Sequence, residues 1–225
     1  MPPLHDVDTI VFDILGTLVD DTAGLRTALA ELAPGRADDL VALWGRRLSA
    51  EHRRIVDRER AYVPGSVLDR EAAQTVVDAA GLSDPAAVDV LVRAARQRPA
   101  WPGSPDALAR LGDGHELIGL SNADATELLR MNASAGLRWH TALSTQAVGS
   151  YKPDPAVYRL AIDCAGRPPE RMLMVAAHAW DLRGAQAAGL RTAYLDRPAG
   201  DPPAAGDRFD LQLSTLAELT DALHP

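Results

Sequence analysis

The 225-residue chain contains one cysteine, Cys164, so no internal disulfide can form, which fits a reducing compartment. Aromatic residues make up only 4%, and no apolar run approaches the ~20 residues of a membrane span. The start, MPPLHDVDTI, lacks a basic flank followed by an apolar stretch, so no signal peptide is expected. Basic residues are also in deficit: the net charge is −8, which argues against nucleic acid as a partner. A soluble, cytoplasmic protein acting on a small molecule is expected, with a few local cations deciding whether that molecule is an anion. The last scarcity is the most informative. Of 23 Lys plus Arg, lysine occurs once, at Lys152. A lone lysine among arginines has two readings: a place that needs a compact ammonium rather than a planar guanidinium, or an accident of a surface loop.

What is present begins with VFDILGTLVD, an apolar strand-like run that ends on Asp13 and passes at once into Gly16-Thr17. Residues from about 20 to 97 then show only helical spacing, with breaks at Pro-Gly and Ser-Asp-Pro. From RPAWPGSPDAL onward, strands (ELIGLS, TALS, MLMVAA, RTAYL, FDLQLS) alternate with helices. The fold class expected is α/β: a Rossmann-like, doubly wound parallel sheet with an inserted all-helical cap. The core would comprise residues 1–19 and 98–225, and the cap residues 20–97. RPAGDPPAAGDR is expected to be an exposed loop.

In such sheets ligands bind beyond the carboxyl ends of the strands. Asp13, Ser121-Asn122, Lys152 and Asp181 each follow a different strand, and the topology brings them together. Taken singly, Ser121, Asn122 or Asp181 could be a helix cap or first-turn acid. Cys164 is expected in the core, and Trp44, Trp101 and Trp139 in packing. His5, His52, His115, His140 and His224 show no metal-ligand spacing.

FDILGTLVD, LSNAD, SYKPDPAVY and VAAHAWDLRGAQAAG, in this order and spacing, resemble the haloacid dehalogenase-like hydrolase superfamily over essentially the whole chain. The resemblance implies that Asp13 is a nucleophile, that Thr17 and Ser121 orient it or bind the reacting group, and that Lys152 pairs with it. Phosphatases of that superfamily carry an acid where Leu15 stands and a second motif-four acid where Ala177 stands. Without a proton donor at 15, and with only Asp181 left to help hold magnesium, ordinary phosphate ester hydrolysis is disfavoured. Displacement of halide tolerates both losses, because halide departs as a stable anion.

ALW in the helical block, SNAD, YKPDPAVY and AWD look like the type II (L-2-haloacid) dehalogenase branch. That likeness implies attack by Asp13 on the halogenated carbon, then hydrolysis of the resulting ester with help from Asp181. Leu15, Asn122 and Trp180 would shape the pocket and Tyr158 would support it. No cofactor is implied. The chain departs from the branch in four places. Gly45 follows Trp44 where an arginine receives the halide, leaving Arg46 or Arg47 as substitutes if the helix register shifts, although a solvated surface charge is the stronger reading of either. Leu15 stands for tyrosine, Ala176 for serine, and His178 for asparagine. His178 could orient or deprotonate the water, or only hydrogen-bond Asp181 or a backbone carbonyl. Two other readings stay open: Mg²⁺-dependent phosphoryl or phosphonate chemistry through Asp13 and Asp181, and a degenerate, non-catalytic anion-binding protein. A homodimer is possible.

Overall fold

The strand Thr9–Phe12 (β1) is wholly buried, and its side chains divide between two apolar clusters: Ile10 and Phe12 on one face of a sheet, Val11 on the other. This period-two division is what a central strand covered on both faces requires. The computed structural model describes residues 6–223. After β1 come four helices, Ala23–Leu32 (α1), Ala37–Val56 (α2), Gly65–Ala80 (α3) and Ala87–Ala94 (α4). The alternating half follows: α5 (Ser104–Gly112), β2 (Glu116–Ser121), α6 (Ala125–Ala135), β3 (Thr141–Ser144), α7 (Pro155–Ala165), β4 (Met172–Ala176), α8 (Ala179–Ala187), β5 (Arg191–Leu195), β6 (Leu211–Leu213) and α9 (Leu216–Leu223). All strand pairings are parallel, in the order β3-β2-β1-β4-β5-β6. The expected doubly wound sheet is therefore present, and the chain reverses its direction of winding at β1. The crevice at such a switch point lies beyond the carboxyl end of that strand, where Asp13 sits.

The helical block has its own apolar cluster, including Leu25 and Leu29 from α1, Leu40 and Trp44 from α2, Val76 from α3 and Leu91 from α4. Its two connections to the sheet run side by side. Val19 bridges Ala100, the Asp20 N–H donates to the Pro99 carbonyl at 2.8 Å, and the Gly24 N–H donates to the Gln97 carbonyl at 3.2 Å. Gly24 is required there, since a Cβ would lie 2.6 Å from that of Gln97.

Three further contacts tie block to sheet. Asp124 accepts the N–H groups of Gly65 and Ser66 at 2.7 and 2.9 Å, placing a carboxylate at the positive end of α3. The Tyr151 hydroxyl donates to the Val63 carbonyl at 2.9 Å, and Arg58 donates to Asp154 at 2.9 Å.

One expectation needs correction. Cys164 is exposed, not in the core. The buried face of α7 is Val157, Tyr158 and Ala161, and it continues through the half-buried Ala165, which leaves Cys164 on the solvent side. The loop 197–208 lies at the surface as expected, and Asp201 ties it to the turn before α8, donating its N–H to the Ala177 carbonyl at 2.9 Å and accepting that of Ala179 at 2.9 Å. His5 and His224 lie outside the described residues.

Candidate active site

β1 ends on Asp13, whose own N–H is still tied to the Val175 carbonyl of β4 at 2.9 Å. The chain then turns sharply through Gly16, whose φ of +76° suits glycine. A side chain there would also press on His178, as a Cβ would come 2.9 Å from its Nε2. The turn brings Thr17 back beneath the strand end. Its hydroxyl donates to Asp13 Oδ2 at 2.6 Å and accepts the N–H of Ala177 at 2.9 Å, locking the end of β1 to that of β4.

Lys152 arrives from the loop before α7. Its Nζ lies 2.9 Å from Asp13 Oδ1 and 2.7 Å from Asp181 Oδ2. All three side chains are buried. The loop is fixed from several sides: Asn122 Oδ1 accepts the Lys152 N–H at 3.0 Å, and Asp154 caps α7 while accepting the Ser150 hydroxyl at 2.7 Å. Burial works against the ammonium, but Asp13 and Asp181 outweigh it and hold the Lys152 pKa above its ordinary value. The lysine therefore remains a cation throughout the neutral range.

Asp181 occupies the first turn of α8. Burial raises its pKa, while Lys152 and the Tyr158 hydroxyl pull in the opposite direction. That hydroxyl donates to Asp181 Oδ1 at 2.7 Å. Tyr158 reaches α8 because position 184 is glycine; a Cβ there would lie 2.7 Å from the tyrosine ring. Gly184 is thus part of the site, hidden in the sequence among ordinary small residues of AWDLRGAQAAG.

The remaining expected residues divide. Ser121 is buried, and its hydroxyl oxygen accepts the N–H of Ala123 at 3.1 Å, ordering the turn after β2. His178 precedes α8 and stacks on Trp180 with ring centroids 5.6 Å apart. Its Nε2 lies 3.2 Å from the Leu15 carbonyl and 3.9 Å from Asp13 Oδ2. A carbonyl can only accept, so that contact needs the proton on Nε2, which then has no lone pair for a water proton.

Leu15 and Asn122 line a cavity of about 130 Å³ together with Trp44 and Gly45, so Trp44 does more than pack. Trp180 instead borders a second cleft of about 520 Å³, whose wall also includes the buried Lys152. Arg46 and Arg47 do not serve as substitutes for a residue at 45. Arg46 is exposed, and Arg47 is spent on Glu51 at 2.6 Å and Glu71 at 3.6 Å; neither lines the cavity. The guanidinium that does line it is Arg98, with Asp21 and Asp69 nearby in the same wall. Arg98, one arginine among many, carries no local signal that singles it out.

The donors for magnesium do not fit. Lys152 Nζ stands between Asp13 and Asp181, where a bridging ion would have to be, and Asp181 already uses its second oxygen on Tyr158. Among the described residues no three His, Cys, Asp or Glu side chains come together to hold a metal.

A nucleophile-capable aspartate at the switch point, paired with a loop lysine and a carboxylate from α8, agrees with what comparison with known proteins gives: the family of haloacid dehalogenase-like hydrolases matches residues 7–189. The chain belongs to this family. Among its relatives, the (S)-2-haloacid dehalogenase of Pseudomonas sp. (strain YL) is 29% identical over 216 residues, covering 94% of this chain and 92% of the relative. The (S)-2-haloacid dehalogenase 1 of Pseudomonas sp. (strain CBS-3) is 29% identical over 228 residues, covering 98% of each. The crystal structure of a defluorinating L-2-haloacid dehalogenase superimposes with a TM-score of 0.86 at 29% identity, covering 97% of this chain and 96% of that one. The inserted helical block of this hydrolase is thus a feature of the shared fold. No helix among its described residues is long and apolar enough to cross a membrane.

Proposed function

We propose that this hydrolase removes halide from a small 2-haloalkanoate through a covalent ester on Asp13. The observation that carries the reading is the placement of Lys152 Nζ within 2.9 Å of both Asp13 and Asp181. An Asp13 carboxylate gripped on one oxygen by an ammonium and on the other by a threonine hydroxyl is held in a fixed aim, which a carboxylate nucleophile needs. One of its oxygens attacks the halogen-bearing carbon; a C–O bond forms as the carbon–halogen bond breaks, and the halide leaves with the electron pair. No proton has to be supplied, so Leu15 in place of an acid costs nothing.

Water then adds to the carbonyl carbon of the Asp13 ester. Asp181, its basicity raised by burial, takes the water proton and passes it on as the acyl C–O bond breaks. The products are a 2-hydroxyalkanoate, halide and a proton, with Asp13 regenerated. Tyr158 holds Asp181 in place, Thr17 and Ser121 fix the turns that present Asp13, Leu15 and Asn122 bound the space around the reacting carbon, and Trp180 supports His178 from the neighbouring cleft. The division into a core of residues 1–19 and 98–225 and a cap of residues 20–97 accompanies this reading, with the substrate enclosed between them. A cytosolic setting is supported by the single, exposed cysteine.

Halide release from (S)-2-chloropropionate and chloroacetate in the presence of EDTA tests the proposal. So does the mass of the protein quenched during turnover, which should rise by the acyl substituent on the peptide holding Asp13. Turnover of phosphate esters that needs Mg²⁺, with no halide released from any haloacid, would overturn it.

A further inference from the structure

Three charged side chains of the cavity beside Leu15 take no part in the chemistry above: Asp21, Asp69 and Arg98. Asp21 lies in the segment leaving the sheet, Arg98 in the segment returning to it, and Asp69 in α3. The other two carboxylates of the cavity are engaged, Asp124 by the N–H groups of Gly65 and Ser66 and Glu127 by Arg130 and Arg96. Arg98 differs. Among the described residues no carboxylate forms an ion pair with it, and its buried Nε has no hydrogen-bond partner. A buried N–H left without an acceptor is unfavourable, so the guanidinium gains by turning its N–H groups to an acceptor that enters the cavity.

The occupant's chemistry follows from the surroundings. A guanidinium offers paired N–H groups whose geometry matches a carboxylate. Leu15, Leu25, Val41 and Trp44 supply an apolar wall beside it, suited to a short alkyl chain. Gly45 contributes no side chain, and nothing lies within 4 Å of where its Cβ would be. Leu15, two residues after Asp13, and Asn122, whose side chain holds the Lys152 loop, line the same cavity as Arg98, so it opens beside the attacking group.

We infer that Arg98 receives the carboxylate of the substrate and so presents the halogen-bearing carbon to Asp13. The inference rests on the dehalogenase reading and deepens it. Asp21 and Asp69 balance the guanidinium from a distance without occupying its donors. Burial raises the pKa of both, and Arg98 is the strongest influence lowering each. The groups facing Asp69 are Arg98, Asp124, Glu127 and Arg96; those facing Asp21 are Arg98, His178 and Asp13. An incoming carboxylate competes with the two aspartates, so its affinity rises as they take up protons.

The test compares chloroacetate with its neutral isostere chloroacetamide in the wild type and in Arg98→Met and Arg98→Lys. Arg98→Met should lower the ratio of kcat/KM for chloroacetate over chloroacetamide by about tenfold or more, through KM, because a hydrogen bond to a charged group contributes ~1.5–3 kcal/mol. Arg98→Lys should recover part of that ratio. An equal loss on both substrates would overturn the assignment, since damage to the fold does not distinguish them. A second readout needs no turnover: calorimetric titration with propionate, which carries no halogen, against propionamide. Binding of propionate that is weakened at least tenfold in Arg98→Met supports the assignment; equal binding overturns it. If no haloacid is turned over, the dehalogenase reading fails while the propionate titration still decides the role of Arg98.

Discussion

Two clusters in this protein each combine two aspartates with one cation, and they behave differently. In the first, Lys152 touches both Asp13 and Asp181 at hydrogen-bond distance, and each carboxylate takes a further hydroxyl, from Thr17 or Tyr158. In the second, Arg98 lies among Asp21 and Asp69 without an ion pair to either, and its Nε has no acceptor. The first is assembled from strand ends of one sheet, whose register is fixed by parallel ladders. The second is assembled from the two connecting segments and α3, across the junction of sheet and helical block. A cluster with saturated donors holds a geometry; one with donors to spare holds a place for something else.

The largest effect should come from breaking the first cluster. Asp13→Asn removes the attacking oxygen and should lower halide release by roughly 10⁴-fold, with no covalent adduct by mass spectrometry. Retained release would move the nucleophile elsewhere. Tyr158→Phe removes the hydroxyl from Asp181, and a hydrogen bond to a charged group at ~1.5–3 kcal/mol corresponds to about 10- to 100-fold in the hydrolytic step. The ester on Asp13 should then accumulate. Gly184→Ala, which pushes the same ring away, should produce the same trapped species; an unchanged ester level in both would remove Tyr158 from the mechanism.

The second cluster gives smaller changes, beginning with the roughly tenfold selectivity loss expected of Arg98→Met. His178→Ala should change turnover by only about threefold, as its Nε2 contact is to a backbone carbonyl. Strong accumulation of the Asp13 ester in that variant would instead make the imidazole a hydrolytic group.

The smallest effect concerns stability. Burial lifts Asp69 to about 6 from 3.8, so the folded state binds this proton more tightly than the unfolded chain does. Its favourable contribution is present below 3.8 and is lost as pH rises through about 6. Asp69→Asn should therefore raise Tm at pH 8 by roughly 2–4 °C, the shift for ~1 kcal/mol in a chain of this size, and leave it unchanged near pH 4. A Tm gain that is the same at both pH values would show that the aspartate's charge is not the cause.

The fold was legible because its signals are local. The buried alternation of TIVF, the helical spacing of 20–97 and the strand–helix alternation after Trp101 each read directly onto an element. Much of the site was legible for the same reason, as Asp13, Asn122, Lys152 and Asp181 all follow strands. The expectations for Cys164, Arg46 and Arg47 failed for a different reason: helical periodicity says that a face exists but not where it points. On α2 Arg47 joins Glu51 and the Glu71 of α3, a pairing that depends on α3 lying alongside, while Arg46 faces solvent. Arg98 carried no local signal, because its importance comes from what surrounds it.

The sequence alone determined the strand that ends on an aspartate, the solitary lysine, and the loss of acids at 15 and 177. Those are matters of residue type and spacing along one segment. Only the tertiary structure decided that Lys152 stands between two carboxylates, that Gly184 admits Tyr158, and that Arg98 lines the cavity with its Nε free. Such contacts join residues up to 139 positions apart, and a chain fixes them only by burying its apolar faces against one another.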